Sequence, residues 1–159
     1  MKRVLTLCAL AASAVVFAVA GLVGSEGRGG ALSQDGRACQ FEFRIAKNEA
    51  GETRGQLRFE QVANEHGRGV LIEMADPAGI LVEGDRGAFR GPGAITTVDP
   101  SGVRHTVRGT VQVAVGDGHN RAHPEGRDHF EIQFENSQRN LSFTFSGGVS
   151  RGELTVFSR

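Results

Sequence analysis

Residues 103–115 read Val103-Arg-His-Thr-Val-Arg-Gly-Thr-Val-Gln-Val-Ala-Val115. Val103, Val107, Val111, Val113 and Val115 fall on odd positions together with His105 and Gly109, whereas the even positions are mostly Arg, Thr and Gln. A period of two puts the valines on one face of a β-strand and the polar side chains on the other. Fully extended, the run would measure roughly 40 Å at about 3.3 Å per residue, longer than an ordinary strand. Such a strand has to bend, and Gly109 is the expected place, since a glycine inside a strand marks a bulge or a corner.

The same alternation extends outward from this run. Cys39, Phe41, Phe43 and Ile45 alternate with polar residues, as do Leu57 and Phe59, Val70, Ile72 and Met74, and Ile80 and Val82. After a glycine cluster (Gly84, Gly87, Gly91, Gly93) and the long run come Phe130, Ile132 and Phe134, then Leu141, Phe143 and Phe145, then Leu154 and Val156. Beyond the N-terminal apolar run no segment has a helical stripe, so the expected class is all-β, with eight or nine antiparallel strands. Both a sandwich and a barrel satisfy this pattern. The barrel is favoured, because closure suits a long curved strand and removes exposed edges. The ten Phe are the whole aromatic content, with no Trp or Tyr. Rings without a polar handle read as core filling and not as a sugar platform or base-stacking surface.

The N-terminus sets the compartment. Met1-Lys2-Arg3 precedes an uncharged apolar run and then Ala18-Val19-Ala20 before Gly21. This order of positive, apolar and small residues is that of a secretory signal peptide, expected to be cleaved after Ala20; an uncleaved membrane anchor is the alternative. The expected location is therefore secreted, periplasmic or cell envelope. Cleavage takes Cys8 away and leaves Cys39 as the one remaining cysteine, expected to be a buried small apolar residue. It also removes two of the 18 basic residues and none of the 18 acidic ones, leaving a nearly neutral chain without the electrostatic footprint of a nucleic-acid binder. Residues 21–36, rich in Gly, Ser and Arg, have neither period and read as a flexible linker. Residues 37–159 are then a single domain, expected to be monomeric, with membrane contact only through an uncleaved signal segment.

Three places could carry chemistry. Residues 116–129, GDGHNRAHPEGRDH, lie between the strands 111–115 and 130–134 of an expected hairpin. A loop of this length is uncommon unless it serves a function or is disordered. Asp117, Asn120 and Asp128, with Glu125, offer oxygen donors for calcium, and His119, His123 and His129 offer imidazoles for zinc or copper. Neither set has a known ligand spacing. The competing reading is a turn begun by Asp117-Gly118, with Asp128 satisfying backbone donors where the strand resumes. His105, on the apolar face between Val103 and Val107, is a candidate ligand or base inside a barrel, or else a histidine held at a strand end. Gly148-Val-Ser150-Arg-Gly152 matches the nucleophile elbow of serine hydrolases in letters only. Strand pattern, not helix, follows it, and no Asp or His comes later. Residues 147–152 read as the turn before the last strand. Asn140-Leu-Ser142 has the form of a glycosylation sequon.

Gly87-Ala-Phe-Arg-Gly91, Val111-x-Val-x-Val-Gly-Asp117-Gly, Asp128-x-Phe130-x-Ile132-x-Phe134, Ser146-Gly-Gly148 and Gly152-x-Leu-x-Val156 together resemble the post-COAP type of bacterial extracellular domain. The resemblance covers roughly residues 39–159. It implies a secreted protein, or a module beside other exported domains, from a family without an established activity. Members often read Asp-x-Gly-Glu-Pro-Gly through the hairpin loop and carry threonine before the phenylalanine. Asp117, Gly118, Asp128 and Phe130 carry over, whereas His119-Asn120-Arg121 and His129 depart from the pattern, so the resemblance lends the histidines no role. The expectation is an exported, non-catalytic binding or structural module acting on an unknown extracellular or envelope partner. The alternatives are a small-molecule-binding barrel, with the odd face of residues 103–115 lining a cavity near His105, and a metal-dependent enzyme built on residues 116–129.

Overall fold

The computed structural model describes residues 22–63, 68–99, 101–118 and 126–158. The segment expected to be a signal peptide, residues 1–20, lies outside the described residues. Among the described residues nine strands follow one another: β1 (Val23–Leu32), β2 (Ala38–Lys47), β3 (Thr53–Gln61), β4 (Val70–Ala75), β5 (Gly79–Glu83), β6 (Arg86–Val98), β7 (Arg104–Gly116), β8 (His129–Asn136) and β9 (Leu141–Ser158). Every pairing is antiparallel. β1, β2, β3, β4, β6, β7, β8 and β9 close on themselves through the β4–β6 and β1–β9 pairings, giving an eight-stranded barrel with β5 as an extra strand. β5 lies on the same edge of β6 as β4, beyond a turn at Asp76–Ala78 where Asp76 has φ 56°. Pro92 falls in the gap between the two, after Arg90 has paired with Gly79 and before Gly93 pairs with Met74. A residue without an N–H is tolerated where no partner strand is waiting for one.

Inside, the large side chains of the alternating runs fill the barrel. Phe130 stacks on Phe41 with centroids 4.5 Å apart and lies parallel to Phe59 at 6.0 Å. Phe59 in turn meets Phe145 at 5.4 Å and Phe143 at 5.7 Å, and Phe43 meets Phe89 at 5.3 Å. Ile45, Ile72, Ile95, Val111, Ile132 and Phe134 close the remaining space and are buried. The outward face is charged. Across five neighbouring strands Glu153, Arg28, Glu42, Arg58 and Glu73 stand side by side, alternating in sign, and Arg58 reaches Glu73 at 3.0 Å. A lipid-spanning barrel carries the opposite pattern, an apolar band outside and polar residues within. This one is patterned for water outside.

The structure departs from the sequence expectations at four places. Most of the linker expected at residues 21–36 is instead β1, which is paired along its whole length with β2 on one side and β9 on the other. Its glycines hide the strand period because neighbouring rings occupy the inner space: a Cβ on Gly27 would stand 2.9 Å from Phe43 Cε1. Only residues 33–37 are a turn, closed by Ser33 N–H to the Arg37 carbonyl at 2.9 Å and tied to β9 by the Arg37 guanidinium on the Thr144 carbonyl, also at 2.9 Å. The glycine cluster at residues 84–93 is mostly the strand β6. The supposed turn at residues 147–152 is the middle of β9, which leaves β8 and continues along β1. A bulge, one of the two features a bend at Gly109 would allow, falls there instead: the β1–β9 register shifts between Gly30 and Ala31, Ser150 is the extra residue, and Gly152 takes φ 96°. The register of β6 with β7 runs unbroken through Gly109, opposite Gly93.

Cys39 is buried on β2, as its position in the alternation implies, and burial pushes its thiol up to about 11. The thiolate is the reactive form, so a disulfide reagent at neutral pH is expected to label Cys39 only as fast as the domain opens, with full labelling in denaturant. Rapid stoichiometric labelling of the folded protein would contradict this placement.

Candidate functional site

The hairpin expected around residues 116–129 forms: Val111 pairs with Phe134, Val115 with Phe130 and Gly116 with His129. Of the proposed metal ligands, His119, Asn120 and His123, as well as Glu125, lie outside the described residues. Asp117, Asp128 and His129 stand at the neck, where a Cβ on Gly118 would lie 2.2 Å from the Arg127 carbonyl oxygen. Asp117 and Asp128 are buried. Both act on neighbouring backbone. Asp117 Oδ2 accepts the Val156 N–H at 3.3 Å, and the Asp117 N–H donates to the Asp85 carbonyl at 2.8 Å. The Asp128 carbonyl accepts the Val149 N–H at 2.9 Å. His129 is exposed, its Nε2 3.1 Å from Ser146 Oγ on the neighbouring strand. No group of three potential metal-ligating side chains gathers among the described residues.

The neck therefore joins the hairpin to the β5–β6 turn and to the second half of β9. Replacing the buried Asp117 by alanine removes a carboxylate acceptor from the half-buried Val156 N–H and is expected to lower stability by about 1–3 kcal/mol. The loss should be equal in calcium and in chelator. If calcium raises the melting temperature of the native protein and not that of the variant, the aspartates hold a cation.

His105 keeps the parity expected of it but stands at the open end of β7, exposed, and not inside the barrel. Val103 beside it is 51% exposed. Its Nε2 lies 3.2 Å from Asp99 Oδ2. Asp99 is an acceptor hub for the β6–β7 turn, taking Ser101 Oγ at 2.6 Å and the Ser101 and Val103 N–H groups at 2.9 Å each. The Ser101 hydroxyl first, then the Val103 N–H and His105, hold its carboxyl down to about 2. Ser150, the would-be nucleophile, donates to the Gly30 carbonyl at 3.2 Å inside the bulge, with strand on both sides. Asn140 takes the left-handed conformation after the 3-10 turn Ser137–Arg139.

The outer face carries several open concavities that escaped the sequence reading, two of them side by side over β5 to β8. On the outer face Leu81, Ala88, Ala114 and Glu131 form one cross-strand row over β5, β6, β7 and β8. The two alanines floor a shallow open trough of about 530 Å³ toward Arg86 and His129, adjoining a second of about 370 Å³ toward Gln112 and Gln133. The signal was present: Ala88 and Ala114 are small residues among polar ones at outward positions. The first trough can seat a side chain or small group beside Arg86 and the second one beside Glu131, and among the described residues no nucleophile and base converge in either. Comparison with protein-family models, with curated proteins and with solved structures finds no match to this chain.

Proposed function

We propose that this chain is an exported β-barrel module that works through its outer surface, as a non-catalytic binding or structural element of the envelope or extracellular space. The observation that carries the reading is the stack of Phe41, Phe130 and Phe59 through the barrel centre, which fills the space a carried small molecule would occupy. The water-facing charge rows agree with it. So does the position of β1, which begins at Val23, so that cleavage after Ala20 leaves each described strand whole. The resemblance to post-COAP-type domains points the same way. Recovery of the protein from medium or periplasm, followed by N-terminal sequencing and native mass spectrometry, tests the reading. The expected result is a chain starting at Gly21 with the mass of the polypeptide alone. Met1 retained in a membrane fraction, or a small molecule carried in the folded barrel, overturns it.

A further inference from the structure

β7 is longer than the strand beside it. Its partner β8 reaches only to the Thr110–Glu135 pair, whereas β6 covers the opposite edge of β7 to the Val98–Arg104 pair. The segment from Arg104 to Gly109 therefore has one edge with no strand on it. Asn136 Nδ2 donates to the Arg108 carbonyl at 2.7 Å, which shows that the main-chain groups of Arg108 face that edge. Those of Thr106 and Arg104, two and four residues back, face it too, because antiparallel backbone groups alternate sides. Neither residue has a further backbone or side-chain partner there among the described residues. A free run of about five residues is roughly 16 Å, the length of an ordinary strand.

The side chains along this edge are of two kinds. Arg104, Thr106 and Arg108 point outward and are exposed, and the two arginines are in no ion pair among the described residues. Arg139, in the turn that follows Asn136, is a third exposed arginine. On the other face Val107 packs against the core and Val103 lies open. A second copy of this chain added antiparallel would set arginine against arginine, so the edge is guarded against itself. An acidic strand meets the reverse situation.

We infer that the free edge of β7 accepts an extended acidic segment of another protein by strand addition, with carboxylates at alternate positions against Arg104 and Arg108 and apolar side chains between them over Val107 and Val103. The inference rests on the reading of the chain as a surface-binding module and names the chemistry of its partner. The backbone groups of Arg104 and Thr106 supply the hydrogen bonds and the arginines the selection.

The test uses the full exported chain and a fluorescein-labelled, N-acetylated peptide of about eight residues alternating Glu and Val. Fluorescence anisotropy is expected to show saturable binding, with amide shifts at Arg104, Thr106 and Arg108 in nuclear magnetic resonance spectra. The peptide with Lys in place of Glu should not bind. Arg104→Glu with Arg108→Glu should weaken binding by at least about tenfold. Thr106→Pro should abolish it with the fold kept, because the Thr106 N–H faces away from β6 and its loss leaves that ladder whole, whereas Thr106→Ala, which loses the same exposed hydroxyl contact with Thr96, should still bind. No binding at about 1 mM peptide overturns the inference, as does binding that survives Thr106→Pro, or dimerisation of the free protein through this edge. Failure of the underlying reading shows separately, as a small molecule held inside the barrel with these amides unmoved.

Discussion

A Phe130→Ala variant is expected to lose about 3–5 kcal/mol of stability, a large share of what a domain of this size holds. Phe130 is fully buried, it is parallel to Phe41 on β2 and to Phe59 on β3, and it lies 6.1 Å from Phe43. Removing it takes away the apolar area and leaves a cavity that two strands, each paired on both sides, cannot close. Phe143 is only half-buried, and Phe59 is its one ring contact among the described residues, so Phe143→Ala should cost clearly less. Urea unfolding of both variants checks the order. Equal losses, or a Phe130→Ala midpoint close to that of the native protein, would mean that the ring stack does not hold the barrel.

Gly109→Val is expected to cost about 3 kcal/mol or more. A Cβ at this position would meet the Glu135 carbonyl oxygen at 2.3 Å and Phe134 Cζ at 2.6 Å. Neither can retreat far, since Phe134 is fully buried and Glu135 is in the β7–β8 ladder. The glycine is required by this close approach of ring and backbone. A double-mutant cycle between Gly109→Ala and Phe134→Leu separates this cause from a bend in the strand. Contact with the ring makes the second substitution recover part of the first; a requirement for bending alone makes the two losses additive.

How much of this was legible depended on who fills the space inside. β2, β3, β4, β7 and β8 carry their own phenylalanines, isoleucines and valines inward, and their alternation is plain in the sequence. β1 and β6 were hidden because part of their inner face is covered by side chains of other strands: rings of β2 lie over Gly27, and Met74 of β4 lies over Gly91. A strand whose interior is supplied by its neighbours has no period to read. β9 was split in two for a related reason, since the bulge at Ser150 and the positive φ of Gly152 look in sequence like a turn. Closure also explains the extent of the misreading at residues 21–36. Without β1 the sheet has two open edges, and nothing local in Val23–Leu32 says that β2 and β9 both need it.

The candidate sites divide in the same way. The hairpin neck was legible because Asp117-Gly118 and Asp128 flank runs of strong period. The placement of His105 was not, since parity fixes the face of a strand but not where along it the barrel ends. The outer trough was written only as two alanines among polar residues, and the free edge of β7 is set by the length of β8, a property of the pair.

The most direct test of a solid interior is uptake of a small apolar probe such as benzene or xenon, followed by melting temperature and by side-chain shifts in nuclear magnetic resonance spectra. The native protein is expected to show neither stabilisation nor shifts at Phe41, Phe59 and Phe130. Phe130→Ala, with a dry cavity of ring size, is expected to take up the probe and gain stability. Stabilisation of the native protein, with shifts at those rings, would show that the barrel holds room for a ligand and would contradict the account.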